Sequence, residues 1–305
     1  MARMTFQPYP SHSTPYAGDA EIGDAALVIR NLVKTFTDKV AVNNLNLTVP
    51  KGSFYGIVGP NGAGKTTAIL AATGIIRPDS GNSWVAGHPL WADPAEGTRV
   101  EEEVLAAKRS YGLLVDGLPV FERLSGKEYL EYLGYLRDIP GEELQQRIAD
   151  LLRALDLEDA GKKYIADYSA GMKKKILLAG ALLHSPEVLI LDEPFEAVDP
   201  VSGEVIRTIL RRYVEAGGTV ILSSHVMELV EGLCNHVAII NQGTVVAAGT
   251  TEQVRAGKSL SERFVEAVGG KQLDTESFGW LRGGSQSAHG TQAHGPHEGQ
   301  AGVED

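Results

Sequence analysis

The segment Gly59-Pro60-Asn61-Gly62-Ala63-Gly64-Lys65-Thr66 constrains this 305-residue chain more than any other. It fits the pattern G-x-x-x-x-G-K-[ST], with the strand-like run Ser53 to Val58 before it and a helical pattern from Gly64 to Thr73 after it. Glycines there let successive backbone N–H groups turn toward one anion. Lys65 can reach the β- and γ-phosphates of a nucleotide, and the Thr66 hydroxyl is placed for Mg²⁺. The positive end of the following helix adds to the field. A strand, loop and helix in this order open a βαβ unit. The loop alone implies a nucleotide-phosphate site, shared by GTPases, nucleotide kinases and many ATPases.

A second feature narrows the choice. Val188-Leu189-Ile190-Leu191 runs directly into Asp192, Glu193 and Pro194. Continuous apolar runs suit strands buried on both faces of a parallel sheet. Asp192 at the strand end can hold Mg²⁺ through water. Because side chains alternate along a pleat, Glu193 is expected to point the other way, toward an attacking water. A general base of this kind is worth ~10²- to 10⁴-fold in rate, or ~3 to 5.5 kcal/mol of barrier.

Composition sets limits on partners. With 39 acidic against 28 basic residues the formal charge is -11, which repels nucleic-acid phosphates. ATP is not excluded, since backbone amides bind phosphate locally. The single cysteine, Cys234, rules out an internal disulfide and fits a reducing cytoplasm. No stretch reaches the ~18 apolar residues of a spanning helix; Ile176 to Leu183 is too short and follows three lysines. No signal-peptide block is expected at the start, so attachment to a membrane would need another protein.

Along the chain, residues 1–24 are expected to be a disordered lead-in. Short strands are expected at Leu27 to Ile29, Lys39 to Val42, Asn46 to Val49 and Ser83 to Ala86, the last after the turn Pro78-Asp79-Ser80-Gly81. Apolar residues at helical spacing (Leu130, Leu133, Leu136; Ile148, Leu151, Leu152, Leu155) predict a helical subdomain, about 117–183, inserted into the α/β core. Strands return at Val188 to Leu191, Thr219 to Leu222 and Val237 to Ile240, the last followed by the hairpin signal Asn241-Gln242-Gly243. Ser259 to Val268 reads as a closing amphipathic stretch. The tail, 270–305, is expected to be mostly disordered, with His289, His294 and His297 solvated rather than a metal site. No internal repeat is present.

With both motifs placed, the sequence from Leu27 to Gly269 resembles the ATP-binding cassette family. Tyr168-Ser169-Ala170-Gly171-Met172 occupies the place of the family signature, usually written LSGGQ. Ala197-Val198-Asp199 matches the D-loop, His225 the switch histidine, and Phe36 the aromatic that stacks on adenine. The resemblance implies a P-loop NTPase core with a parallel sheet, an antiparallel β subdomain and the helical insert. It implies ATP and Mg²⁺, held by Gly59, Pro60, Asn61, Gly62, Ala63, Gly64, Lys65, Thr66 and Thr67. It further implies Glu193 polarising water and His225 sensing the γ-phosphate.

Ser169 is a good N-cap, and a helix starting there presents N–H groups able to grip phosphate. In the family that phosphate belongs to a facing cassette; with one cassette per chain, a second chain is needed, most simply an identical one. The family also pairs with a membrane permease, which would hold this subunit peripherally on the cytoplasmic side. The wording Tyr168-Ser169-Ala170-Gly171-Met172-Lys173-Lys174-Lys175, and Leu118 to Gly126, resembles cassettes of drug, antibiotic and polysaccharide exporters.

One departure stands out. The family's metal-touching glutamine falls on Asp116, a carboxylate that can also ligate Mg²⁺; a plain turn residue is the alternative. Two other functions stay open: a soluble cassette ATPase, normally with two cassettes in one chain, and a binding module with a degenerate site. Glu193 and His225 both being present speaks against the latter.

Overall fold

A computed structural model of the chain describes residues 19–37, 39–91, 98–117 and 120–269. Contacts divide the chain into Met1–Val268 and Gly269–Asp305, and the architecture below is that of the first unit. A short helix, α1 (Asp19–Asp24), ends the stretch expected as lead-in. Strands β1 (Ala25–Phe36) and β2 (Lys39–Pro50) form a long antiparallel hairpin, with Phe36 opposite Lys39 and Ala25 opposite Pro50. Then come β3 (Phe54–Val58), α2 (Lys65–Ala72), β4 (Ser80–Val85) and β5 (His88–Pro89). The order β2-β1-β4-β5 makes a four-stranded antiparallel sheet.

After α3 (Thr98–Ser110) and β6 (Tyr111–Leu114), the chain leaves the sheet for α4 (Gly126–Leu136), α5 (Gly141–Ala154) and α6 (Ala170–Leu182). It re-enters at β7 (Val188–Asp192), which pairs in parallel with β6. The helices are thus an insertion between neighbouring strands. Their apolar stripes meet: Leu130 of α4, Leu144, Ile148 and Leu152 of α5, and Ile176 of α6 are all buried in one cluster. The α4 N-terminus is closed by a capping box, Ser125 and Glu128 exchanging side-chain and backbone hydrogen bonds.

The remaining elements are α7 (Pro200–Glu215), β8 (Thr219–Ser224), α8 (Met227–Leu233), β9 (His236–Asn241), β10 (Thr244–Thr250), α9 (Thr251–Arg255) and α10 (Leu260–Val268). The main sheet runs β10-β9-β3-β8-β7-β6, parallel except for β10. Gln242 and Gly243 both take positive φ (49° and 76°), the requirement of the tightest hairpin turn, so β10 returns antiparallel along β9. Every residue of β3, β7 and β8 is buried. Alternate residues explain why. Tyr55, Ile57, Val188, Ile190, Ile221 and Ile240 face α2 and the antiparallel sheet, whereas Phe54, Val58, Leu189, Leu191, Leu222 and Ile239 face the helical side. Two covered faces are what continuous apolar strands require. No helix among the described residues is long and apolar enough to cross a membrane.

Candidate functional site

The C-terminal ends of the parallel strands converge on the loop from β3 to α2. Gly59 has no room for a side chain: a Cβ there would stand 2.4 Å from the carbonyl oxygen of Ile240. At Gly64, the N-cap of α2 with φ 101°, a Cβ would stand 2.2 Å from the carbonyl oxygen of Ala41. The loop is pinned as well. Gly243 donates its N–H to Ala63 at 2.8 Å, and Asn43 donates to Gly243 at 3.0 Å. The β9–β10 turn and β2 therefore hold a backbone cradle whose shape only glycine permits, at the positive end of α2.

Lys65 is 7% exposed, and its Nζ donates to the carbonyls of Gly59 (2.9 Å) and Pro60 (3.4 Å). Thr66 Oγ1 donates to Asp192 Oδ2 at 2.7 Å. Asp192 and Ser223 are opposite each other on β7 and β8, and Ser223 Oγ donates to the other Asp192 oxygen. Thr66 and Asp192 together offer oxygen donors of the hard kind that Mg²⁺ takes, beside a phosphate-shaped cradle. The residues fit Mg²⁺-ATP.

Glu193 departs from the expected pleat alternation. Strand β7 ends at Asp192, and Glu193 turns into the left-handed region at φ 46°. Its N–H donates to Ser223 Oγ (3.1 Å), and its carbonyl accepts from Lys174 Nζ (2.8 Å) and the Glu196 N–H (3.2 Å). That turn places the carboxylate between the Lys65 ammonium and the His225 imidazole. Oε1 lies 3.8 Å from Lys65 Nζ and Oε2 3.1 Å from His225 Nδ1. His225 directly follows β8 and is half exposed.

Ser169 caps α6, accepting the N–H of Met172 at 3.2 Å, and both Ser169 and Ala170 are exposed. A Cβ on Gly171 would come 3.1 Å from the carbonyl of Ala197, so the signature stands against the D-loop. Asp199 caps α7, accepting the N–H of Ser202 at 2.9 Å, with Pro200 at the first helical position. Hydrogen bonds from Ser202 hold the Asp199 carboxyl below the usual carboxylate range.

Phe36 is 48% exposed at the hairpin tip, with Lys34 Nζ 5.4 Å from its ring centre. Its register partner Lys39 reaches the loop, its Nζ 3.9 Å from where a Cβ on Gly62 would be. Asn61 and Gly62 are exposed; Thr67 follows in the first turn of α2.

Asp116, the third expected metal ligand, is engaged by an ammonium group. Its Oδ2 pairs with Lys174 Nζ at 2.6 Å, and no bond among the described residues joins it to Thr66 or Asp192. Leu118, Pro119 and the tail histidines His289, His294 and His297 lie outside the described residues.

Sequence reasoning missed Ser223 and Lys174. The first depends on strand register; the second sits in a lysine run that reads as a solvated face.

A cradle for phosphate at a helix N-terminus, facing a strand-end aspartate, defines a P-loop nucleoside triphosphatase. The sequence profile of the ABC transporter family matches residues 42–196. The chain is 34% identical over 235 residues to the daunorubicin resistance ATP-binding protein DrrA3 of Streptomyces coeruleorubidus, covering 77% of this chain and 71% of that one. It is 35% identical over 224 residues to the linearmycin resistance ATP-binding protein LnrL of Bacillus subtilis, covering 73% and 69%. A solved ATP-binding subunit of an ABC transporter superposes with a TM-score of 0.71 at 28% identity, covering 79% of this chain and 99% of that one. This chain belongs to the ABC transporter family and is its ATP-binding, ATP-hydrolysing subunit.

Proposed function

We propose that this subunit powers an exporter by closing and opening, with ATP, against a second cassette, and that a separate permease in the membrane carries the substrate. One observation carries the dimeric reading. The Ser169-capped end of α6 is exposed, and none of the hydrogen bonds or ion pairs among the described residues joins Ser169, Ala170, Gly171 or Met172 to Lys65, Thr66, Asp192 or Glu193. A helix end built to grip phosphate needs phosphate from elsewhere, and a facing cassette supplies it. Export is supported by the signature wording from Tyr168 to Lys175 and by the resistance functions in the names of the two relatives.

In this reading the cassette spans about 25–269, with the helical subdomain about 117–183, and sits on the inner face of the membrane through its permease. Lys65, Thr66 and the amides from Asn61 to Thr67 bind the phosphates, and Phe36 stacks on adenine. Thr66 and Asp192 hold Mg²⁺, which when bound neutralises charge developing on the phosphate oxygens. Glu193 accepts the proton of the water that attacks the γ-phosphorus, and ADP leaves. His225, paired with Glu193, senses the γ-phosphate. Asp199 supports the signature from the D-loop side.

The test is the mass of the purified Glu193→Gln protein in solution. With ATP it is expected to form a dimer retaining two ATP, and without ATP a monomer. A protein that binds ATP and stays monomeric overturns the two-cassette reading.

A further inference from the structure

Lys174 is 5% exposed, in the second turn of α6. A lysine so buried needs partners for its charge. It has two of different kinds: the Asp116 carboxylate at 2.6 Å and the backbone carbonyl of Glu193 at 2.8 Å. The second contact falls at a strained place. Glu193 is a non-glycine residue at φ 46°, and it precedes Pro194, whose ring further restricts the backbone before it. Such a conformation persists only where the surroundings over-determine it. Two side chains do so, Ser223 accepting the Glu193 N–H and Lys174 donating to its carbonyl. The same residue must keep its carboxylate between Lys65 and His225.

We propose that Lys174 is a positioning residue for Glu193, with Asp116 as its counter-ion. This rests on the reading of Glu193 as the base. Through this one ammonium group, the loop after β6 and the signature helix α6 are both fastened to the backbone of the base. A shift of either element is then felt at Glu193 without any contact to nucleotide. The arrangement also gives the Asp116 carboxylate a partner other than metal.

The experiment compares full-length wild type with Lys174→Met, Lys174→Arg, Asp116→Asn and Glu193→Gln, measuring kcat, KM, equilibrium ATP affinity and melting temperature. Lys174→Met is expected to lower kcat about 10- to 100-fold, the scale of a misplaced catalytic group. Its KM and ATP affinity should stay within about twofold, since ground-state binding is untouched. Lys174→Arg, which keeps a donor, restores part of the rate, and Asp116→Asn loses less than Lys174→Met.

Wild-type kcat in Lys174→Met, with Glu193→Gln inactive, overturns the positioning role alone. Parallel loss of kcat, affinity and melting temperature, unrelieved by arginine, reduces Lys174 to scaffold and also overturns it. Wild-type turnover in Glu193→Gln removes the base, and the proposal falls with it.

Discussion

Thr66 donates its hydroxyl to Oδ2 of Asp192 at 2.7 Å, across 126 positions of sequence. The bond joins the first turn of α2 to the end of β7, because β3, β8 and β7 are adjacent in one parallel sheet. Two oxygen donors for a divalent cation are thereby assembled by the fold itself. Thr66→Ala is expected to raise the Mg²⁺ concentration needed for half-maximal hydrolysis while leaving metal-free ATP affinity nearly unchanged. A Mg²⁺ titration of the ATPase rate checks it; an unchanged half-point would remove Thr66 from the metal site.

The cradle predicts a graded response to glycine substitution. Gly59→Ala pushes a methyl to 2.4 Å from the Ile240 carbonyl, a backbone atom that cannot rotate away. Overpacking of this kind costs ~1–3 kcal/mol, or about 2–4 °C of melting temperature per kcal/mol in a domain of this size. Nucleotide binding should be lost as well. Gly62→Ala has nothing closer than the flexible Lys39 Nζ at 3.9 Å and suffers only from its φ of 78°, so its cost stays near ~1–2 kcal/mol. Calorimetry and ATP titration of both variants test the ordering.

Ser169 combines two roles that can be separated. Losing its cap in Ser169→Ala should cost ~0.5–2 kcal/mol. Ser169→Asp keeps an excellent cap but sets a negative charge where a partner's phosphate is proposed to bind. It should melt like wild type and fail to form the ATP-dependent dimer. A Ser169→Asp protein that dimerises normally would take the signature out of phosphate binding.

The pH dependence of stability has a marked contributor in His184. Burial, aided by the charge of Arg137, pushes its pKa down to about 4 from the ordinary 6.5. Its Nε2 lies 3.1 Å from the Tyr111 carbonyl. Below pH 6.5 the unfolded chain binds a proton at this residue that the folded chain refuses. The stabilisation is therefore complete above that pH and is lost as pH falls toward about 4. His184→Gln, which retains a donor, should flatten the decline in urea-unfolding free energy over this window. An unchanged slope would place the acid sensitivity elsewhere.

Much of the phosphate site was legible because it is local. The loop from Gly59 to Thr66 and the run from Val188 to Glu193 each carry their chemistry within a few consecutive residues. The helical insert was legible from its apolar spacing. The antiparallel sheet was read as short fragments because β1 and β2 carry several register shifts, and Asn31 and Asn44 take positive φ within them. Such bulges break the alternation that marks a strand. The strand β6, only Tyr111–Leu114, is too short to announce itself. Glu193 was misread locally, since the pleat stops one residue before it. Ser223 and Lys174 owe their roles to partners 30 and 19 positions away from them, at Glu193, and no local pattern encodes that.

The placement of the Glu193 carboxylate between Lys65 and His225 is the centre of the mechanism. Single-turnover release of phosphate from bound ATP, wild type beside Glu193→Gln at equal ATP occupancy, measures it directly. Loss of a general base should slow release ~10²- to 10⁴-fold with ATP affinity retained. Phosphate released by the mutant at the wild-type rate would contradict the assignment of Glu193 as the base and leave that role to another group.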